Sequence, residues 1–509
     1  MAKTKESAKR TSWFRQLFNP IDLTEGSIFK TLLLFLIPIL LSLLFQQMYT
    51  LTDSIVIGKT LSPEEVSGVN DVGALVNIIL QFAVGSTSGF AVVTAHKVGE
   101  KNPDGARKSF LVQIYLGLIL SALLTVLAVL LVNPLLSTIG IRPDLEDPSS
   151  PTQQVYQAAH DYLFVIDLGF VFQMGYNLVL SVLRALGDSF TPFLFLVVGT
   201  VANVINDTLF LIVFKWGVIG AAWATNLSQF IAMAGCFVYA FRHYPQLRFR
   251  KGDSRFSWSF VLEHLKLGLP LGLQFSILEI GIIIMQAAVI SFDYVQAGSL
   301  KMVAGTPAQL GYSTACKYYS FFLNLYSALG TGMVTFVGQN YGAKKWDRIR
   351  KGVNESLLIG TGFWALSNLI GFLGMINNGY LYLFLKSSSI NAEVAKYGNA
   401  YLDVALPSGW ILMVLFLFRN SLQGLDRPLF PFLAGIGELL ARSLLCLYLP
   451  SFLNGGPIDH TASLSSYVGV CFADPLAWVA ATLIMVFPIL HALKKNASAA
   501  PSPSRLPRA

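Results

Sequence analysis

Residues 31–57 read TLLLFLIPILLSLLFQQMYTLTDSIVI, an apolar run with Asp53 as its one charged residue. About 20 apolar residues in a helix cross a hydrocarbon core of about 30 Å, so this run is long enough to span a membrane. It is too long for the apolar region of a cleavable signal peptide, which has about 7–15 residues. The run therefore predicts a transmembrane helix with an acidic residue near its end.

Eleven further apolar runs follow along the chain. They lie near residues 72–95, 109–139, 156–183, 191–214, 217–241, 259–291, 312–338, 353–385, 398–422, 429–453 and 465–493. The 509 residues are 54% hydrophobic and only 13% charged, against about 25% charged in soluble proteins. Helices satisfy their own backbone hydrogen bonds in lipid, so we predict an all-α integral membrane protein with about twelve transmembrane helices.

Basic and weakly charged loops alternate between these runs. The basic segments are residues 3–15, 97–108, 242–255, 344–351 and 494–508. Because Lys and Arg concentrate in cytoplasmic loops, this alternation predicts that both termini are cytoplasmic. The net charge of +8 is then a property of the loops, and a nucleic-acid partner is not expected. The tail over residues 494–509 is rich in Pro, Ser and Ala, which is typical of disorder.

The two halves of the sequence resemble each other weakly. Tyr162 and Pro192 correspond to Tyr401 and Pro431 at a constant offset of 239 residues. The hydrophilic loop after the second run matches the loop after the eighth, pairing Gly99, Lys101, Asp104, Arg107 and Lys108 with Gly342, Lys344, Asp347, Arg350 and Lys351. Parallel repeats build transporters with a site between two lobes.

This repeat predicts a division of the chain into five parts. They are an N-terminal cytoplasmic segment (1–30), an N-lobe of six helices (31–241), a basic linker (242–258), a C-lobe of six helices (259–493) and the tail (494–509).

Acidic and amide side chains interrupt the first-half spans. An Asp at the centre of a membrane helix costs about 2.5–3.5 kcal/mol on insertion scales, so it usually faces an interior cavity. Asn203 and Asp207 are four residues apart and share one helix face with Gly199. A carboxylate with amide oxygens suits H⁺ or Na⁺. Alternatively, the face formed by Gly199, Asn203 and Asp207 makes a structural hydrogen bond to another helix. For Asp53, the alternative is an ordinary charge at the end of a helix.

Other polar residues allow less specific predictions. Asp167 either lines a cavity or pairs locally, and Glu279 lies deep in the seventh run. Glu438 and Arg442 are four residues apart and favour a structural pair. The cysteines, Cys236, Cys316, Cys446 and Cys471, are isolated and indicate buried thiols.

Four segments resemble the multidrug and toxic compound extrusion (MATE) family of the multidrug/oligosaccharidyl-lipid/polysaccharide exporter superfamily. They are IPILLSLLFQQMYTLTDSIVIG, VLRALGDSFTP, GVIGAAWATNLSQ and GQNYGAKKWDR, in the family's order, and the resemblance covers about residues 20–490. It implies two six-helix bundles that form a V around a central cavity. It also implies secondary active export of organic cations or other amphiphiles in antiport with H⁺ or Na⁺.

The resemblance also implies site residues. The family's first-lobe cation site corresponds to Asp53, Tyr162, Asn203, Asp207 and Thr225. If Na⁺ is the coupling ion, the resemblance implies that it binds at Asp53, Asn203, Asp207 and Thr225. Pro38 matches a proline at which the first helix bends, and Glu279 lies near an acidic position of the second lobe. The connection DYVQAGSLKMVAGTPAQ between the seventh and eighth spans departs from the family's short loop.

Two other functions remain open at this stage. A flippase for a lipid-linked oligosaccharide or cell-envelope precursor would favour several Arg or Lys side chains inside the cavity. Only Arg442 is clearly predicted within a span. An intramembrane enzyme would need a catalytic dyad, whereas the six histidines fall near span ends or in loops. We expect a monomeric transporter of the cell membrane without a cofactor. The substrate and the choice between H⁺ and Na⁺ do not follow from the sequence.

Overall fold

The computed structural model describes residues 19–497 except 145–146, 148–149, 254–256 and 299–300. Within that part of the chain, eleven continuous helical segments are long and apolar enough to cross a membrane, and one bent pair of helices makes a twelfth. We number them α1 (Ile28–Thr60), α2 (Pro63–Gly99), α3 (Pro103–Thr138), α4 (Pro151–Leu168 and Phe170–Ala185), α5 (Phe190–Val213), α6 (Gly217–His243), α7 (Trp258–Asp293), α8 (Pro307–Gly342), α9 (Trp346–Tyr382), α10 (Ala392–Gly424), α11 (Leu429–Asn454) and α12 (Leu464–Lys494).

The predicted helix count is confirmed, but the predicted boundaries were too short at several ends. The second run was predicted to start at residue 72, yet α2 begins at Pro63 with a short amphipathic helix. Ser62 caps this helix, and the Glu65 side chain accepts a hydrogen bond from the Ser62 backbone N–H in return. Capping boxes of this kind start helices in polar sequence that hydropathy does not detect. The predicted disordered tail lies outside the described residues from 498 onwards.

The bend in α4 lies at Gly169, where two helices meet at 47°. The Asn226 side chain of α6 occupies the space that a Cβ atom at position 169 would need. Its Nδ2 donates a hydrogen bond of 2.6 Å to the carbonyl of Val165, just before the bend. Glycine is therefore required at this position so that α6 can hold the kinked backbone.

Glycines bring the two halves of the chain into close contact along α2. Leu271 and Gly272 of α7 would lie 2.6–2.9 Å from a Cβ atom at Gly85. At the end of α2, Gly99 lies against the backbone carbonyl of Gln339 of α8. In the same way, Gly342 at the end of α8 lies against the carbonyl of His96 of α2. Neither position leaves room for a side chain. The two halves therefore meet at backbone-to-backbone distance between α2, α7 and α8.

The long α7–α8 connection has a structural role. Both carboxylate oxygens of Asp293, at the end of α7, accept hydrogen bonds from the backbone N–H groups of Ala308 and Gln309, at 2.9 and 2.8 Å. These N–H groups open α8 and would otherwise lack partners. An isolated bridge between Tyr294 and Met302 folds the connection back on itself. The extra length thus lets Asp293 cap a helix that starts 14 residues later.

We call the end of the molecule that carries residues 97–108, 242–253 and 344–351 the basic face. At this face, the linker between the halves is held by an ion pair of 2.7 Å between Arg107 Nε and Asp253 Oδ2. The Arg107 guanidinium holds the pKa of the Asp253 carboxyl below its usual value. The linker therefore stays attached to the first half.

A strap, residues 21–26, crosses the basic face and binds both halves. Ile21 N–H donates to the carbonyl of Gly187 in the first half at 3.0 Å. From the second half, Arg348 donates to the carbonyls of Leu23, Glu25 and Gly26 at 3.0, 2.6 and 2.7 Å. A separation of the halves at this face would have to break these hydrogen bonds.

Replacing Arg348 with Ala should release the strap. We expect amide exchange in residues 21–26 to become at least tenfold faster, which corresponds to a loss of about 1.4 kcal/mol. Hydrogen exchange with mass spectrometry on the full chain measures this change. Arg350→Ala is the matched control, because Arg350 is exposed on the same helix and makes no contact with the strap. Equal exchange in the two variants would show that Arg348 does not hold the strap.

Candidate cation-binding site

A buried carboxylate from α5 and a half-buried one from α1 lie side by side in the first half. They belong to Asp207 and Asp53, respectively. Asp207 is 0% exposed, and apart from its contact with the Asp53 carboxylate, neither of its oxygens has a hydrogen-bond partner among the described residues. Oδ1 of Asp53 is likewise buried without a partner. The pair thus leaves at least three enclosed oxygen atoms free to bind a proton or a cation.

Hydroxyl groups from three helices surround the two carboxylates. Tyr162 of α4 lies near both of them. Tyr49, one turn before Asp53 on α1, contacts the hydroxyl of Thr225 from α6 and also lies near both acids. Tyr49 was not among the residues predicted for this site. Its four-residue spacing from Asp53 was a usable signal, but a tyrosine near a span end is also typical of a membrane interface.

Asn203 lies one turn before Asp207 on the same face of α5 and is 1% exposed. Its amide oxygen and nitrogen make no hydrogen bond with a described residue. Gly199, a further turn back, packs against Ala232 of α6, which keeps this face of α5 close to α6. The structure thus groups Asp53, Tyr162, Asp207 and Thr225 together and places Asn203 on the adjoining turn, without a direct contact to the carboxylates.

The regular helix of α5 ends at Asp207, and a π-helical turn covers Thr208–Val213. π-helical turns are rare and occur mostly at functional sites, because they re-aim side chains at the cost of helix regularity. The apolar run 191–214 alone does not indicate this change of helix type. The change of helix type directly after Asp207 marks this position as locally irregular.

No arginine or lysine side chain pairs with the Asp53–Asp207 cluster among the described residues. The ligands available there are carboxylate, hydroxyl and amide oxygens, which suit a proton or a hard cation. No described group of three or more His, Cys, Asp or Glu side chains has a metal-binding arrangement, so the site does not resemble a transition-metal centre.

The remaining predicted residues have separate surroundings. Glu279 of α7 accepts a hydrogen bond of 2.9 Å from Gln81 of α2, so it links the two halves. Asp167 is 3% exposed, and its Oδ2 has no hydrogen-bond partner among the described residues. Local pairing, one of the two alternatives for Asp167, is therefore not observed. Pro38 lies inside α1, and the Ser42 hydroxyl donates to its carbonyl at 2.8 Å.

The second half contains a buried charge network instead. Glu438 accepts from Arg442 at 3.0 Å, which confirms the predicted pair. The other Glu438 oxygen accepts from Arg419 of α10 at 2.7 Å, and Arg442 also donates to Asp474 of α12 at 2.7 Å. Two arginines and two acids balance each other, so this network is structural and neutral.

The prediction that Arg442 is the one clear arginine within a span was wrong. Arg419 lies inside α10 and Arg184 lies in the last turn of α4. Arg184 falls one residue beyond the predicted run 156–183, where hydropathy cannot separate a helix residue from a loop residue, and Arg419 lies three residues before the end of the run 398–422.

A small, partly open cavity lies between the halves near the basic face, with about 300 Å³ of empty space that includes open solvent. It is bounded by α2, α4 and α8, and is lined by Ser88, Ala91, Ala95, Ser181, Arg184, Ala185, Thr331, Val334 and Thr335. The residues come from both halves of the chain. A molecule in this cavity would therefore contact both halves at once.

Up to twelve membrane helices among the described residues, with adjacent carboxylates inside one half of the chain and a cavity between the halves, define a polytopic membrane transporter. The family model described as MatE matches residues 38–209 and 282–447, which is more than half of the chain. The chain belongs to this family of multidrug and toxic compound extrusion transporters, which are not enzymes.

Individual relatives agree with this assignment. The chain is 28% identical over 334 residues to the "Probable multidrug resistance protein YpnP" of Bacillus subtilis, covering 64% of this chain and 68% of that protein. It is 25% identical over 361 residues to the "Probable multidrug resistance protein NorM" of Thermotoga maritima, covering 68% and 70%.

A solved structure, "Crystal structure of MATE in the bent conformation", superposes with a TM-score of 0.78 at 18% identity and covers 96% of this chain and 99% of that one. At this identity the likeness concerns the fold alone. It confirms the predicted V-shaped arrangement of two helix bundles.

Proposed function

We propose that this multidrug efflux transporter exports organic cations or other amphiphilic molecules in antiport with H⁺ or Na⁺. We propose that the coupling ion binds at Asp53, Tyr162, Asn203, Asp207 and Thr225. The observation that carries the proposal is the pair of adjacent carboxylates of Asp207, which is buried, and Asp53, which is half-buried, without a counter-charge among the described residues. Two such groups cannot both stay ionised in a low-dielectric site at low cost, so a proton or a cation is required.

Ion binding would then change the relative stability of two arrangements of the first lobe. A neutralised pair packs against its neighbours without repulsion, whereas an emptied pair must separate or admit water. A ligand shifts a conformational equilibrium by its difference in affinity for the two states. We propose α1 as the moving element, with the hinge at Pro38, because proline removes a backbone hydrogen bond within that helix. Asp53 lies on the same helix, so movement at the hinge changes its distance from Asp207.

The position of the protein in the cell is part of the proposal. The alternation of basic and weakly charged loops supports cytoplasmic termini in the cell membrane. The N-lobe and C-lobe boundaries, 31–241 and 259–493, remain predictions, as does the monomeric state.

Flux measurements in proteoliposomes test the proposal. A cationic dye such as rhodamine 123 is loaded on one side, and either a pH or a Na⁺ gradient is imposed on the full chain. We expect one of the two gradients to accelerate dye movement at least tenfold over liposomes without protein. The opposite gradient should reverse the net flux, since antiport is driven by the ion. Dye movement that neither gradient changes would overturn the antiport proposal.

A flippase for a lipid-linked precursor is the second candidate function. The presence of Arg184 in the cavity between the halves favours it. Anionic headgroups need such a cation. A fluorescent anionic lipid that changes leaflets only with the protein present would support this function. Dye export without lipid movement would exclude it.

A further inference from the structure

Arg184 is an arginine without a counter-ion inside the membrane domain. Among the described residues its side chain makes no hydrogen bond and no ion pair, and its Nε is buried without a partner. A charged side chain enclosed in this way is costly unless it is paired. An arginine in the last turn of a helix usually extends to water, but this one is half-buried and lines a cavity between α4, α2 and α8.

The acidic residue nearest in sequence does not neutralise Arg184. Asp188 accepts hydrogen bonds from the hydroxyl of Tyr244 at 2.6 Å and from the backbone N–H of Thr191 at 2.9 Å. These contacts hold the carboxylate against α6 and the start of α5. The guanidinium is therefore free to bind a group that enters the cavity.

Four hydroxyl groups line the same cavity, and none of them makes a hydrogen bond with another described residue. They belong to Ser88, Ser181, Thr331 and Thr335. Serine and threonine in helices usually donate to the carbonyl four residues earlier, as Thr87 does at 2.8 Å. A guanidinium surrounded by unused hydroxyl donors matches the hydrogen-bonding needs of a carboxylate or a phosphate.

We propose that the cavity formed by Ser88, Ser181, Arg184, Thr331 and Thr335 binds the carboxylate or phosphate group of an anionic or zwitterionic molecule. The ligand contacts α2 and α4 of the first half and α8 of the second. Next to it, Gln339 of α8 donates a hydrogen bond of 2.9 Å to the carbonyl of Ala185 of α4. Anion binding therefore stabilises the arrangement in which the halves are closed at the basic face. This site is separate from the Asp53–Asp207 pair, and its binding test does not depend on ion-driven export.

Two dyes with one ring system and opposite charge test the site. Fluorescein is an anion at neutral pH, and rhodamine 123 is a cation. The full chain is reconstituted in nanodiscs of phosphatidylcholine, and binding is followed by fluorescence anisotropy. We expect Arg184→Gln to weaken fluorescein binding at least tenfold and to leave rhodamine 123 binding unchanged. Arg350→Gln, at an exposed arginine outside the cavity, should leave both unchanged.

A second arm distinguishes a lipid headgroup from a free anion. Native mass spectrometry of the protein in nanodiscs with phosphatidylglycerol shows whether a lipid is retained. Retention by the unmodified chain and loss in Arg184→Gln would assign the site to a lipid phosphate. Arg184-dependent fluorescein binding without lipid retention would assign it to a soluble anion.

Two further variants cover the case in which Arg184→Gln does not fold. Arg184→Lys keeps the charge and should keep most of the anion binding, while Thr331→Val removes one hydroxyl at nearly constant volume and should weaken binding about threefold. The proposal is overturned if the unmodified chain binds neither fluorescein nor phosphatidylglycerol. It is also overturned if the Arg184 and Thr331 variants bind both as the unmodified chain does.

Discussion

Asp207→Asn should abolish ion-driven export while leaving the protein folded in the membrane. Asn has nearly the shape of Asp but cannot exchange a proton or carry the charge that binds Na⁺, so the coupling ion loses its main ligand. Asp207 is 0% exposed and, apart from the Asp53 carboxylate, its oxygens have no hydrogen-bond partner among the described residues, so its charge holds no other side chain in place. We expect gradient-driven dye flux to fall at least a hundredfold, to the level of liposomes without protein.

Asp53→Asn should give the same qualitative loss, since the two carboxylates form one site. Asp71→Asn is the matched control, because Asp71 is an exposed acid in the short helix that opens α2. Dye binding without a gradient should persist in all three variants and would show that each is folded. Full gradient-driven flux in Asp207→Asn would show that coupling lies elsewhere, and Glu279, at the contact with Gln81, would be the next candidate.

The helices and the acidic residues of the first half could be predicted from the sequence, because each follows from the residue pattern within one segment. Twenty consecutive apolar residues define a span without knowledge of its neighbours. Asn203 and Asp207 share a helix face through their spacing alone, and the structure places both on the buried side of α5. Their meeting with Asp53, Tyr162 and Thr225 was predicted from a family resemblance, and its role in ion coupling stays a prediction.

Contacts between helices that are far apart in sequence could not be predicted. Arg419 lies three residues before the end of one apolar run and Asp474 lies nine residues inside another, and neither position indicates a partner on a different helix. Only the packing of α10 and α12 against α11 shows that they pair with Glu438 and Arg442. The same holds for Arg184, whose enclosure depends on α8, nearly 150 residues further along the chain.

Hydropathy also cannot detect polar segments that gain their structure from distant partners. The strap belongs to the predicted N-terminal cytoplasmic segment, for which no contact was predicted, yet Arg348 binds three of its carbonyls. Asp293 similarly caps α8 across a connection whose length had no explanation in the sequence.

Removal of Glu438 should cause a large loss of stability. This carboxylate lies between Arg419 and Arg442, at 2.7 and 3.0 Å, and all three side chains are buried. Glu438→Gln keeps the shape but leaves Arg419 without a counter-charge, whereas Arg442 retains Asp474. Breaking a buried ion pair by removing one partner costs about 3–5 kcal/mol. Thermal unfolding of the full chain in detergent should therefore occur at a clearly lower temperature.

Two comparisons separate this effect from a general loss of charge. Glu393→Gln removes the exposed ion pair with Lys396 and should change stability by less than about 1 kcal/mol. The double variant Glu438→Gln with Arg419→Met removes both members of the broken pair, and the methionine fills much of the arginine's volume. Because the cost of the single variant comes from one uncompensated buried guanidinium, the double variant should recover more than half of the lost stability. If the stability losses of the two single changes simply added up in the double variant, Glu438 would contribute through packing. The charges would then not hold the network together.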